Sequence, residues 1–376
     1  MRVLFITSPG VGHTFQTIPT VWAFRAAGHD VILATGHYRG YDETPARAGL
    51  HVVDVAPGLD FAGVFSRICA RDPELAANLR DPAVADELAV RIFAEFSAGM
   101  LYGTMTLAER WRPDLVVHTP LDGTGALVAA KLGVPTVIHA INFDTPLEMT
   151  YGVYDRMRPE FERFGVTAAS PAAMLDLAPP SMRASNSSGW PMRYLPYNGG
   201  GVLPDWLYAP RKRPRITVTL GSVLPQMLGS DGFRPFLAGA SEVDAEFVLT
   251  VGNLDPAELR GLPPNVRPVK WLPLSALLAV SDAAVHHGGA GTTLTTVEAG
   301  VPQLIIPQTQ DQFPNSEAVA KRGIGLPVQP GDLDAERLHG LLTNDAMRDA
   351  ARQVATEMRT SPPAAELVPK LVALAG

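Results

Sequence analysis

Short apolar runs alternate with longer stretches of helical periodicity in the first half of the chain. The runs, rich in β-branched residues, occupy residues 3–7, 31–34, 52–55, 115–117 and 136–138. Between the first two runs, the apolar face of a predicted helix carries Ile18, Val21, Trp22 and Phe24, and Gly28 is a C-terminal stop. This alternation predicts a parallel sheet flanked by helices.

The same alternation resumes in the second half after a break. Periodicity is lost between about residues 178 and 215, where Pro, Gly, Ser and Asn accumulate as in linkers. Apolar runs then recur at residues 216–220, 247–251, 266–270, 283–285 and 303–306, and a helical tail closes the chain. A chain of 376 residues is long enough for two cores. We therefore predict α/β domains at residues 1–200 and 215–355, joined by a linker at residues 201–214.

A glycine-rich turn follows the run at residues 283–285. Residues 286–293 read HHGGAGTT and lead into a helical pattern. A strand-turn-helix junction of this kind presents unpaired N–H groups and the positive end of a helix dipole, which suits a phosphate or diphosphate. Ligands of parallel sheets lie beyond the carboxyl ends of the strands. The turn and the pair Asp311-Gln312, which follows the run at residues 303–306, should therefore open onto one crevice.

The stretch from Trp271 to Gln312 resembles the nucleotide-sugar signature of GT-B glycosyltransferases. More narrowly, it is similar to bacterial enzymes that attach deoxysugars to macrolide, enediyne and aromatic polyketide antibiotics. The resemblance covers most of the chain and implies two Rossmann-like parallel-sheet domains facing a central cleft. It also implies that the C-terminal residues 356–376 form a helix that crosses back to the first domain.

The resemblance implies a role for each part of the signature. Trp271 stacks on the base, His287 and the following glycines and threonines hold the diphosphate, and Asp311 with Gln312 bonds the sugar hydroxyls. The Gly-Ser turn after residues 216–220 meets the diphosphate from the other side, or is only a helix N-cap. The implied donor-binding residues are Gly12, Ser222, Trp271, Leu272, His287, Gly288, Gly289, Gly291, Thr292, Thr293, Asp311 and Gln312.

One departure from the wider superfamily concerns the nucleotide. Plant members carry a glutamate after the His turn that binds both ribose hydroxyls, and the spacing places Thr295 at that position. A single hydroxyl suits a deoxyribose, so the interpretation favours a dTDP-sugar over a UDP-sugar as donor.

The first strand ends in the sequence SPGVGH, residues 8–13. A dinucleotide-binding turn would need a small residue where Phe15 stands, and the second strand ends in Ala34-Thr35 without an acid for a ribose. His13 remains, and an imidazole with an ordinary pKa of about 6.5 can act as a general base. The Gly-His motif followed by Pro19 resembles the family's N-terminal motif, in which the histidine deprotonates the acceptor. The alternative is a packing or capping histidine.

In many relatives an aspartate after the fourth strand polarises that histidine, and the corresponding residue is Thr119. Either Asp122 reaches in from the loop, or the acceptor is acidic enough to need little help, as a phenol with a pKa near 10 is. Asp122 could equally be the N-cap of the helix predicted at residues 125–132. The candidate catalytic residues are therefore His13, Asp122 and Thr119.

Residues 58–110 carry many aromatic and apolar side chains, interrupted by Asp-Pro pairs at 72–73 and 81–82. In the family this region faces the acceptor, and a cleft so lined suits a large apolar aglycone. The candidate acceptor-binding residues are Phe61, Phe65, Phe93, Asn142 and Phe143. The alternative is that most of these aromatics belong to the core.

Composition restricts the other partners. The net charge of −7 argues against a nucleic-acid partner. The single cysteine, Cys69, is compatible with a reducing cytoplasm, and no apolar run approaches the roughly 20 residues that span a bilayer. The sequence starts directly with the first predicted strand, without the features of a signal peptide, so we expect none. We expect a cytoplasmic protein without a membrane partner that can form a homodimer.

The predicted function is transfer of a deoxysugar from dTDP to an apolar, polyketide-type and possibly phenolic aglycone, with inversion. The dTDP-sugar is a co-substrate. Neither a cofactor nor a metal is expected if the helix N-terminus stabilises the negative charge of the diphosphate. Three alternatives stay open. They are C-glycosylation of an aromatic ring, nucleotide-sugar 2-epimerisation, and non-catalytic binding of a nucleotide sugar in support of a partner.

Overall fold

The computed structural model describes residues 1–36, 44–78, 81–143, 147–168, 170–183, 187–221, 230–252, 254–308 and 311–376. The chain forms two compact units. The first comprises Met1–Ala178, Arg183–Arg193 and Ser361–Gly376, and the second comprises Pro179–Met182 and Tyr194–Thr360. The predicted linker, residues 201–214, lies inside the second unit.

The first unit contains a seven-stranded parallel sheet in the order β3-β2-β1-β4-β5-β6-β7. Its strands are β1 (Arg2–Thr7), β2 (Asp30–Thr35), β3 (Val52–Asp54), β4 (Leu115–His118), β5 (Thr136–His139), β6 (Ala173–Asp176) and β7 (Trp190–Pro191). The five predicted strands are confirmed to within one residue at each end. The central strand β1 is almost completely buried, as expected for a parallel sheet covered on both faces.

Eight helices of the first unit precede the crossing to the second unit, within the described ranges. They are α1 (Val11–Ala26), α2 (Thr44–Arg47), α3 (Phe61–Arg71), α4 (Pro73–Ala77), α5 (Pro82–Trp111), α6 (Gly123–Leu132), α7 (Leu147–Arg156) and α8 (Arg158–Phe164). Both Asp-Pro pairs are helix starts, because Asp72 and Asp81 accept hydrogen bonds from the first turns of α4 and α5.

One residue of α1 differs from its predicted role. Ile18, Val21 and Phe24 are buried as predicted, but Trp22 is 37% exposed. Its indole N–H donates to the carbonyl of Ala48 at 3.0 Å, so the ring lies along the surface rather than in the core. An amphipathic ring can satisfy its polar atom this way while half of it stays in solvent.

The second unit contains a six-stranded parallel sheet in the order β10-β9-β8-β11-β12-β13. Its strands are β8 (Arg215–Thr219), β9 (Glu246–Thr250), β10 (Val266–Val269), β11 (Ala283–His286), β12 (Gln303–Ile305) and β13 (Gly325–Pro327). The five predicted strands of this half are again confirmed to within one residue. Two parallel sheets with flanking helices confirm the predicted α/β fold.

The remaining helices are α9 (Arg234–Leu237), α10 (Leu274–Leu278), α11 (Ala290–Ala299), α12 (Gln312–Arg322), α13 (Ala335–Thr343), α14 (Asp345–Thr360) and α15 (Ala364–Val372). Short 3-10 turns occupy Pro180–Met182, Asp205–Leu207, Ser230–Phe233, Ala240–Glu242, Pro256–Glu258 and Ala373–Ala375. The last helix belongs to the first unit, where it packs against α1. Among the helices described, none combines the length and the apolar character that crossing a bilayer requires.

Candidate active site

The glycine-rich turn joins the end of β11 to the start of α11. Gly288 adopts a φ of 93°, which side-chain-bearing residues rarely adopt, and a Cβ there would lie 2.7 Å from Cγ2 of Ile305. The amide of Asn315 donates to the carbonyl of Gly288 at 2.8 Å. The turn is therefore supported by β12 and α12. The N–H of Ala290 donates to Asp311, and Gly291 and Thr292 carry the first-turn N–H groups of α11 that no carbonyl of the helix reaches.

His286 fixes the conformation of this turn, although its sequence context assigned it no role. Its Nδ1 accepts the N–H of Gly288 at 3.0 Å, so the ring proton is on Nε2, which donates to Oε1 of Gln303 at 2.8 Å. Burial lowers the pKa of His286 to about 4, and the ring is neutral at physiological pH. The only sequence signal is the repeated histidine itself.

His287 is enclosed by two glycines. A Cβ on Gly289 would lie 2.4 Å from its Nε2, and one on Gly221 would lie 2.6 Å from its Cε1. Burial, with a smaller contribution from His286, lowers the pKa of His287 to about 3, so this ring is also neutral. Its Nδ1 is buried without a hydrogen-bond partner in the part of the chain described.

Asp311 is brought to the same turn, as its predicted position at the end of the neighbouring strand requires. Its Oδ2 accepts the N–H of Ala290, the first residue of α11, at 3.1 Å. Burial raises the pKa of Asp311 to about 6, and the hydrogen bond from Ala290 opposes that rise. Next to it, Oε1 of the buried Gln312 accepts the N–H of Gln308 at 2.8 Å.

Two threonines of α11 have their hydroxyls bonded to the helix backbone. The hydroxyl of Thr293 donates to the carbonyl of Gly289 at 3.0 Å and is fully buried, so it is not available to a diphosphate in this structure. Thr295 is also fully buried, and its hydroxyl donates to the carbonyl of Gly291 at 2.6 Å. The contact of Thr295 with a ribose stays a prediction, and in this structure its hydroxyl is bonded inside the fold. Back-bonding of threonine to the carbonyl four residues earlier is common inside helices. Thr292 remains half-buried.

Trp271 is 37% exposed, so part of its ring is open to a ligand. Its indole N–H donates to the carbonyl of Asn198 at 3.2 Å. The adjoining Leu272 is half-buried, as is Gly291 at the start of α11. Ser222, the predicted contact on the other side of the diphosphate, lies outside the described residues.

In the first unit, His13 lies in the first turn of α1, after the exposed Gly12. Its imidazole packs against the ring of Phe93 with centroids 5.0 Å apart, and its Nδ1 is buried without a hydrogen-bond partner among the described residues. Burial lowers the pKa of His13 to about 4. The ring is neutral at physiological pH and has a free lone pair or N–H to offer.

Two further candidate residues are engaged elsewhere. The buried hydroxyl of Thr119 accepts the N–H of Ser8 at 3.5 Å. Asp122 is the N-cap of α6, since its Oδ1 accepts the N–H of Gly125 at 3.0 Å, and this confirms the capping interpretation. Burial raises the pKa of Asp122 to about 6, opposed by hydrogen bonds from the start of α6.

The capping role leads to a first test, the variant Asp122→Asn. Asparagine caps as well as aspartate, so we expect turnover within about twofold of wild type. The folded-state pKa of about 6 lies above the usual 3.8, so between these values only the folded protein keeps the proton. Its unfolding free energy then falls as pH rises from about 4 to 6. Asp122→Asn cannot lose a proton at this position, so its free energy of unfolding should not fall in this way. Urea unfolding should therefore show that the stability of the variant rises relative to wild type between about pH 4 and 6. A large loss of turnover would instead make Asp122 a base.

The candidate acceptor residues divide by burial. Phe93 contacts His13 and also Phe96, with centroids 5.7 Å apart, whereas Phe143 is buried and Phe65 is 38% exposed. The carbonyl oxygen of the half-buried Asn142 side chain accepts the N–H of Phe143 at 2.8 Å. Phe61 begins α3, but its side chain lies outside the described part of the structure. Among the candidate acceptor residues whose side chains are described, Phe93 forms a ring contact with His13.

The described residues contain no group of three or more His, Cys, Asp or Glu side chains placed to hold a metal ion. Asp332 and Asp334 form an Asp-x-Asp pair in sequence. Asp334, however, caps α13 by accepting the N–H of Arg337 at 2.8 Å and pairs with the guanidinium of the same residue. The Asp334 carboxylate is therefore engaged as a helix cap and in an ion pair.

Residues 22–221 match the N-terminal domain, and residues 234–374 the C-terminal domain, of the family described as erythromycin biosynthesis protein CIII-like. The chain belongs to this family. It is a GT-B glycosyltransferase of natural-product biosynthesis, as the sequence resemblance predicted.

Curated and solved relatives match the glycosyltransferase along its whole length. The elloramycin glycosyltransferase ElmGT of Streptomyces olivaceus is 38% identical, over 99% of this chain and 97% of the relative. The crystal structure of SnogD from Streptomyces nogalater has 43% identity and a TM-score of 0.84, covering 100% of this chain and 99% of that one. The glycosyltransferase SsfS6 of Streptomyces sp. SF2575, complexed with thymidine diphosphate, has 31% identity and a TM-score of 0.84, covering 99% of both chains.

Proposed function

We propose that this glycosyltransferase moves a deoxysugar from dTDP to an apolar, polyketide-type aglycone with inversion, and that His13 is the general base. The observation that carries the proposal is the turn between β11 and α11, where two neutral histidines and Asp311 surround a helix N-terminus. The thymidine diphosphate complex of SsfS6 supports dTDP as the nucleotide. The elloramycin glycosyltransferase supports a natural-product acceptor.

In the donor half of the reaction, the diphosphate lies on the first turn of α11. The backbone N–H groups and the helix dipole stabilise the negative charge that develops when the bond from the anomeric carbon to the phosphate oxygen breaks. His287 is neutral and can donate one hydrogen bond to the diphosphate. A cationic ring would instead hold the negatively charged diphosphate by charge attraction. Asp311, already tied to Ala290, would accept from a hydroxyl of the sugar.

In the acceptor half, His13 takes the proton of the acceptor hydroxyl while its oxygen attacks the anomeric carbon from the opposite face. The new C–O bond forms as dTDP leaves with the electron pair of the broken bond. A base with a pKa of about 4 is weak, and general-base catalysis works best when the pKa values of base and acceptor are not far apart. The buried imidazole therefore favours an acidic acceptor such as a phenol over an aliphatic alcohol.

The test combines binding and transfer. Calorimetry should show 1:1 binding of dTDP, and incubation with a dTDP-deoxysugar and an aromatic polyketide phenol should give a product heavier by one deoxysugar. NMR of the new anomeric centre should show inverted configuration. Retention of configuration would contradict the single-displacement mechanism, and absence of dTDP binding would contradict the donor assignment.

Trp271→Ala tests the nucleotide base contact. Loss of a base-stacking ring typically costs roughly 1–3 kcal/mol, so we expect dTDP affinity to fall by about 5- to 150-fold. Calorimetry measures the change, with Trp22→Ala as the control, because Trp22 has the same exposure but lies in the first unit. Unchanged affinity of Trp271→Ala would mean that this ring only packs.

The other candidate functions give distinct results in the same assays. A C-glycoside would survive acid hydrolysis that cleaves an O-glycoside, and both begin by deprotonating the phenol. A 2-epimerase would release nucleoside diphosphate without an aglycone, and a non-catalytic helper would bind dTDP without turnover on any acceptor. A cytoplasmic site of action and a homodimer stay predictions, and light scattering of the purified protein measures the second.

A further inference from the structure

Residues 194–199 lie in the stretch of linker-like composition, at the end of the domain predicted at residues 1–200, but they contact the nucleotide-sugar signature of the second unit. The hydroxyl of Tyr194 lies 3.0 Å from Oγ1 of Thr295 and is fully buried there. Asn198 reaches the same hydroxyl, with its Nδ2 donating to Oγ1 of Thr295 at 3.3 Å. The segment therefore covers the helix position at which plant relatives carry the ribose-binding glutamate.

Asn198 connects three separate parts of the signature. Its backbone carbonyl accepts the indole N–H of Trp271 at 3.2 Å, and its Oδ1 accepts the N–H of Ser275 in the first turn of α10 at 2.9 Å. Its Nδ2 donates to Thr295 on α11. The side chain thus anchors its own backbone to two helices, and the anchored carbonyl holds the indole.

The next residue confirms how closely the segment approaches the indole. Gly199 has a φ of 79°, and a Cβ there would lie 3.0 Å from Nε1 of Trp271. A larger residue would be strained in this conformation and would press on the ring. Only one edge of the indole is occupied in this way, and Trp271 remains 37% exposed.

We propose that Asn198 is a positioning residue for the nucleoside end of the donor site and acts through Trp271. The inference rests on the proposed function, in which the Trp271 ring stacks on the thymine base. An indole held at its N–H by an anchored carbonyl has one orientation, and stacking then requires no ordering of the ring when the nucleotide binds. Asn198 itself does not contact the reacting atoms.

A double-mutant cycle in the full-length enzyme tests the proposal, with dTDP affinity measured by calorimetry. Asn198→Ala removes two side-chain hydrogen bonds and should weaken dTDP binding by roughly threefold to tenfold. In a Trp271→Ala background the same substitution should have no further effect, because the ring on which it acts is gone. If the affinity loss of the double variant equals the product of the two single-variant losses, the proposal is overturned.

Two more variants separate positioning from folding. Trp271→Phe keeps a ring but removes the N–H donor, so Asn198→Ala should also be silent in that background. Val202→Ala, in the same stretch of chain but 97% exposed, should bind dTDP as wild type does. In steady-state assays Asn198→Ala should raise KM for the dTDP-sugar and leave kcat unchanged. A fall in kcat with unchanged KM would overturn the proposal.

The outcomes also distinguish this inference from the function on which it rests. If wild type does not bind dTDP, the proposed donor is wrong and the inference falls with it. If wild type binds dTDP and Asn198→Ala binds it equally well, the donor assignment stands and the positioning role is wrong.

Discussion

Replacing His13 with alanine should lower turnover by about 10²- to 10⁴-fold, the usual contribution of a positioned general base. Affinity for dTDP should change little, because every candidate donor-binding residue except Gly12 belongs to the second unit, whereas His13 belongs to the first. Steady-state kinetics with a phenolic acceptor and calorimetry with dTDP measure the two effects. Trp22→Ala, at a partly exposed ring on α1 of the same unit, is the control and should keep most of the activity.

The pH dependence gives the same prediction an independent readout. Burial lowers the pKa of His13 to about 4, and only the neutral ring can accept a proton. The wild-type kcat/KM should therefore stay level down to about pH 5 and fall as pH drops through about 4, and the His13→Ala rate should lack this step. The ratio of wild-type to variant rates should also grow as the acceptor becomes less acidic. A His13→Ala enzyme with wild-type turnover would remove His13 from the mechanism.

Gly289→Ala should reduce kcat/KM by on the order of 10²-fold, the size of effect that follows a displacement of about 1 Å in an active site. The backbone φ of −60° at Gly289 accepts an alanine, so the cost arises from the methyl group, which would lie 2.4 Å from Nε2 of His287. The imidazole of His287 cannot simply move away from this methyl group, because it already lies against Gly221. His287 must therefore turn away from the diphosphate.

The matched control is Gly340→Ala on the exposed face of α13, where a Cβ meets nothing within 4 Å. This variant should keep full activity and gain up to about 1 kcal/mol of stability from helix propensity. A second measurement identifies the cause. In a His287→Ala background, Gly289→Ala should have little further effect on kcat/KM, because the clash is removed with the ring. A full additional loss there would mean that Gly289 is needed for another reason.

Most of the sheet could be predicted because parallel strands buried on both faces are continuous apolar runs. Three strands were not predicted. β6 is four residues long, Ala173–Asp176, and contains no β-branched residue. The other two are short and irregular. β7 contains only Trp190 and Pro191, and β13 begins at Gly325 and ends at Pro327. Both lie at an edge of their sheet, where proline and glycine are tolerated, and neither has a run long enough to recognise.

In the site, the parts that are local in sequence were predictable and the long-range contacts were not. The glycine-rich turn and the N-cap at Asp122 each involve residues within a few positions of each other. The contact of Asn198 with Thr295 joins residues 97 positions apart, and it lies in a stretch whose Pro, Gly and Asn content is typical of a linker. Burial of the Thr295 hydroxyl follows from that contact, which the spacing of residues along the sequence does not reveal.

The threonine hydroxyls of α11 are bonded to their own backbone at Thr293, Thr295 and Thr296. Apart from the hydroxyl of Thr292, the groups left at the start of this helix are main-chain amides, which are the same whatever residue is present. Substitutions along α11 should then alter packing more than they alter the nucleotide that is bound. Attempts to change donor preference by engineering should instead begin with the segment around Asn198, whose side chain is bonded to α10 and α11 and whose carbonyl accepts the indole N–H of Trp271.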